Sequence, residues 1–62
     1  MQVPAKQASK NFNQAATLLE EIERLVIATL GPDTDVTREY LQQIDELRDN
    51  IVTDIVEFDA AV

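Results

Sequence analysis

The chain has 62 residues, twelve acids against five Lys and Arg, a formal charge of −7, and neither cysteine nor histidine. Disulfides and Cys/His zinc sites are thereby excluded, which leaves only carboxylate sites for hard cations. So short a chain buries a small share of its surface, and with those two staples gone, association with another chain is the expected one.

The first periodic segment carries Ala5, Ala8, Phe12, Ala15, Leu19, Ile22, Val26 and Leu30 at spacings of three and four. This spacing predicts an amphipathic helix over about 5–30. Leu18 and Leu25 widen its stripe on one flank, Ala16 and Ile27 on the other. Gly31 suits the position just past a helix end, where φ turns positive, and Pro32 cannot continue the helix. Residues 31–36 read as a turn.

The second segment repeats the pattern through Tyr40, Ile44, Leu47, Ile51, Ile55, Phe58 and Val62, predicting a helix over about 37–60. Thr37 is the expected N-cap, with Asp35 as the alternative, and Val36 and Leu41 stand where a hydrophobic staple would pack. The step of four from Ile51 to Ile55 departs from a strict heptad, so a bundle seam is expected in place of a long coiled coil.

So short a connection makes the helices antiparallel neighbours in one all-α hairpin domain over 1–62. Folding about the turn pairs positions whose numbers sum to roughly 66. Ala8 then faces Phe58, Ala5 faces Val62, Ala15 faces Ile51 and Phe12 lies near Ile55. Residues 1–16 carry Lys6 and Lys10 and no acid, whereas all twelve acids lie beyond them. The same register sets both lysines beside Asp54, Glu57 and Asp59. Asp54, at the edge of the apolar face, is expected to pair with Lys10 or to bond to Asn13 or Gln14.

Two helices side by side hide one stripe each. Leu18, Leu25, Leu41, Val52 and Val56 lie off the seam, and a homodimer forming a four-helix bundle would cover them. These five are the expected oligomer interface.

Functional classes narrow accordingly. The lone serine, Ser9, has no base nearby in sequence, and a hairpin this small is not expected to enclose a small-molecule site, so no catalytic residue, cofactor, metal or small substrate is expected. Excess acid disfavours nucleic acid and anionic lipid as partners. No apolar run approaches the ~20 residues that span a bilayer, and no signal-peptide pattern opens the chain, so a cytoplasmic setting, or host cytoplasm for a viral protein, is expected. A non-enzymatic, self-associating interaction module (adaptor, assembly factor or regulator) is the leading expectation. The alternative is an acidic inhibitor that presents Glu20, Glu21, Glu23, Asp45, Glu46 and Asp49 to a basic protein as a nucleic-acid mimic.

The stretch Leu41-Gln42-Gln43-Ile44-Asp45 resembles the Ser-Gln-Glu-Leu-Asp signature of the small helical-hairpin aspartyl-phosphate phosphatases of sporulating bacteria. That resemblance implies a two-helix architecture and would cast Asp45 as the phosphatase residue. The match covers five residues, with Leu41 where that family has Ser and Gln43 where it has Glu. The architecture is also similar to the plasmid RNA-organising hairpin dimer, whose basic RNA face has no counterpart here.

Overall fold

The computed structural model describes residues 3–62, and these form two helices and no strand: α1, Ala5–Leu30, and α2, Asp35–Ala60. Pro4 precedes α1 with its φ of −55° already close to helical, and its carbonyl accepts from the Ala8 amide at 2.9 Å. Proline suits a helix start because no intrahelical bond needs its missing N–H. α1 stops at Gly31, whose amide still donates to the Ile27 carbonyl while its backbone swings to φ 88°, ψ 159°. That region is almost closed to residues bearing a Cβ.

α2 begins two residues earlier than its apolar pattern implies. Thr34, and not Thr37 or Asp35, is the N-cap, with its side chain accepting from the Thr37 amide at 3.0 Å. Thr37 is instead fully buried in the first turn and donates its hydroxyl to the Gly31 carbonyl at 2.6 Å. With the cap at Thr34, Val36 falls too late to staple against Leu41, and it is half exposed.

The helices are antiparallel neighbours, but the register is offset from the expected one. Ser9 donates to the Asp59 carboxylate at 2.5 Å, and the Phe12 and Phe58 rings meet edge to face with centroids 5.2 Å apart. Arg48 pairs with Glu23. These pairs sum to between 68 and 71, because Gly31 and Pro32 are used in leaving α1 and the apex of the connection falls at Thr34. Three expectations are corrected as a result. Val62, outside α2 and 75% exposed, does not close the seam on Ala5. Among the described residues Lys6 and Lys10 form no ion pair, since Ser9 takes Asp59 and both lysines stand on the side of α1 turned from the seam. Asp54 likewise has neither Lys10 nor an amide side chain as partner.

The core is small. Leu19 and Ile44 are the buried apolar side chains among the described residues, joined by the buried hydroxyls of Ser9 and Thr37. The molecule is a rod of 42 × 18 × 15 Å with a radius of gyration of 14.1 Å. A globular chain of this length would have about 11 Å. No helix among the described residues is long and apolar enough to cross a membrane.

Candidate interaction face

A helix turns by about 100° per residue, so positions three and four apart share a side. In α1 this groups Leu18, Ile22, Leu25 and Thr29 on one side of the seam, and Ser9, Ala16, Glu23 and Ile27 on the other. In α2 it groups Val36, Tyr40, Gln43, Leu47 and Asp54 against Leu41, Asp45, Arg48, Val52, Val56 and Asp59. Contacts across the seam tell which groups lie together. Ile22 and Val26 share a groove of about 340 Å³ with Tyr40 and Leu47, and Leu25 and Leu30 extend it along Tyr40 by a further 290 Å³. Behind the seam, Glu23 meets Arg48 and Ser9 meets Asp59.

The hairpin therefore has two unlike faces. On the first, Leu18, Ile22, Leu25, Tyr40 and Leu47 are each between 44% and 67% exposed, with Val36 at the turn end also open. On the second, Ser9 is buried and Ala16, Ile27 and Leu41 are partly covered, while the half-buried Glu23–Arg48 pair closes the middle. Asp45 lies 3.8 Å from the same guanidinium. Val52 and Val56 remain open beyond this pair, at 47% and 63%.

The five expected interface residues thus divide. Leu18 and Leu25 belong to the first face, whereas Leu41, Val52 and Val56 belong to the second, so one flat contact does not reach all five. Ile22, Tyr40 and Leu47, assigned by spacing to the seam, are the residues that join Leu18 and Leu25. The seam between two helices is too narrow to cover a full stripe on each, and whatever leans toward the first face stays in solvent. The six acids of the expected acidic face divide as well. Glu20, Asp45 and Asp49 lie toward the second face, Glu21 and Glu46 edge the first, and Glu23 is engaged by Arg48.

The first face is edged by acid alone. Glu39 and Glu46 follow its α2 border, Glu21 sits between Leu18 and Leu25 on its α1 border, and the half-buried Asp54 stands at the end far from the turn. The cations lie elsewhere. Lys6, Lys10 and Arg24 stand on the outer side of α1, Arg38 pairs with Asp35 at 2.5 Å, and Arg48 is held on the second face.

The molecule exposes 4874 Å², where a compact monomer of its 7.0 kDa would expose about 4,000 Å². The excess of about 800 Å² follows from the elongated shape of two helices laid side by side. No family model matches the chain, and neither a curated protein nor a solved structure matches it.

Proposed function

We propose that the chain is a small, non-enzymatic protein–protein interaction module that finishes its hydrophobic core against another chain along the first face. The observation that carries this reading is the row Leu18, Ile22, Leu25, Tyr40 and Leu47, open on one side of the rod. Each is already about half covered, so covering the remainder stabilises by about half of the ~1.5–3 kcal/mol that full burial of such a side chain contributes. Net stabilities of whole domains are only ~5–15 kcal/mol. A second helical surface laid over this row would therefore change the energetics of the chain more than any contact inside the hairpin. A two-fold dimer closing into a four-helix bundle is one such cover, and it would use Leu18 and Leu25 while leaving Val52 and Val56 outside.

The non-enzymatic part rests on composition. There is no His or Cys to act near neutral pH, and the one serine is engaged by Asp59. A purely electrostatic inhibitor is the weaker reading, because its six acids are spread over both sides of the rod.

Photo-crosslinking tests the proposal. A photoreactive amino acid in place of Leu25 is expected to yield an adduct, with a second copy or another protein, when the full chain is expressed in its source cells. The same residue in place of Val56 is expected to yield none. Adducts at position 56 and none at position 25 would refute the assignment.

A further inference from the structure

We infer that the occupant of the first face is a basic amphipathic helix from a different protein, and not a second copy of this chain. The inference rests on the reading of that face as a docking surface and adds the chemistry of what docks. The apolar groove between α1 and α2 runs from Leu18 to Leu30, about 18 Å at 1.5 Å per residue. That length takes three or so turns of a helix whose apolar residues recur at the helical spacing, the usual way a groove reads an amphipathic helix. One flank of such a helix lies against Glu39 and Glu46, the other against Glu21, and one end approaches Asp54. Lys or Arg on both flanks would meet a carboxylate at each of these places.

A second copy satisfies the apolar part of the groove and fails the charged part. Neither edge of the face carries a cation, so every two-fold way of laying the first face of one copy on the first face of another sets acids against acids or against uncharged side chains. Both molecules also carry −7 overall. Like charge across an interface slows encounter and lowers affinity, whereas a cationic helix is drawn in by the same field. Lys6, Lys10 and Arg24, the cations of α1, are on its outer side, and the two lysines also lie about two turns or more from Leu18.

The test titrates the full chain with a synthetic peptide of about eighteen residues, long enough to form a helix on binding. It has Leu at the i, i+3, i+4, i+7 positions and Lys elsewhere, and a control peptide has Glu in place of every Lys. The Lys peptide is expected to bind, and to bind at least tenfold more weakly when salt rises from about 50 to about 300 mM. The Glu peptide is expected not to bind. Glu39→Gln with Glu46→Gln should weaken the Lys peptide about fivefold, by loss of two exposed pairs. Leu25→Ser with Leu47→Ser should abolish binding, while Val56→Ser should leave it unchanged. These side chains are exposed, so circular dichroism should report an intact fold in every variant.

Equal binding of both peptides would overturn the charge inference and leave the docking face standing. So would binding of neither by a chain that sediments as a dimer and is made monomeric by Leu25→Ser with Leu47→Ser. Lys-peptide binding that persists in that double variant would show adhesion to acid at large and overturn the inference. A monomer that binds neither peptide would overturn the docking face as well.

Discussion

Thr37 has one hydroxyl proton, and it goes to the Gly31 carbonyl at 2.6 Å. The 2.7 Å contact between the two threonine hydroxyls is therefore Thr34 donating to Thr37 Oγ. Thr34 Oγ in turn accepts from the Thr37 amide. Two threonines and one carbonyl thus tie the last turn of α1 to the first turn of α2, in a connection that has no disulfide to hold it. Thr37→Val keeps the shape and removes both bonds of that hydroxyl. It is expected to cost about 1–2 kcal/mol, read as a lower urea midpoint with an unchanged slope. Thr37→Ser, which keeps the hydroxyl, should lose clearly less. Gly31 has space for a Cβ, its nearest neighbour being Thr34 Cγ2 at 3.8 Å, so the obstacle to Gly31→Ala is backbone strain and not crowding. The helix stop at Gly31-Pro32 was legible in the sequence because both residues act locally. The cap was not, because Thr34 lies ahead of the two candidates that the apolar pattern suggests, Thr37 and Asp35, and its choice depends on the reach of Thr37 back to Gly31.

Each helix could be read from its own periodicity, and the antiparallel pairing from the brevity of the turn. Which flank of α1 shares a side with which flank of α2 needs the helical rotation of both seams taken together, which spacing along either helix alone does not give. Leu18 and Leu25 mark one flank of α1, and Leu41, Val52 and Val56 one flank of α2. The observed contacts place these flanks on opposite sides of the hairpin, as the 100° turn per residue of two antiparallel helices requires. A sum rule centred on the turn also missed the offset that places Ser9 against Asp59 and Phe12 against Phe58. The aromatic pair checks this register. A double-mutant cycle of Phe12→Leu and Phe58→Leu should give a coupling of about 0.5–1.5 kcal/mol. Zero coupling there, together with coupling between Phe12 and Ile55, would restore the register expected from the turn alone. Glu23–Arg48 stands on the same side as Ser9–Asp59 but is about a third exposed, so it specifies pairing more than it stabilises.

As a whole the molecule is a thin rod whose buried apolar core comes down to Leu19 and Ile44 among the described residues. That apolar side chains would stay open was readable from length and composition, because too few of them can be hidden between two helices. The location of the exposed apolar row was only half readable. Leu18 and Leu25 were found from their spacing, whereas Ile22, Tyr40 and Leu47 were assigned to a seam too narrow to hold them. The acid-only border became visible once the two sides were separated, since the overall charge says nothing about where the cations go.

Footprinting by hydroxyl radicals, read by mass spectrometry residue by residue, asks directly whether the first face is covered where the protein works. In dilute purified chain Leu25, Tyr40, Leu47 and Val56 should all be oxidised, as their exposure requires. In intact source cells Leu25, Tyr40 and Leu47 should be protected while Val56 stays reactive. Equal oxidation of all four in cells, or protection at Val56 alone, would contradict the account.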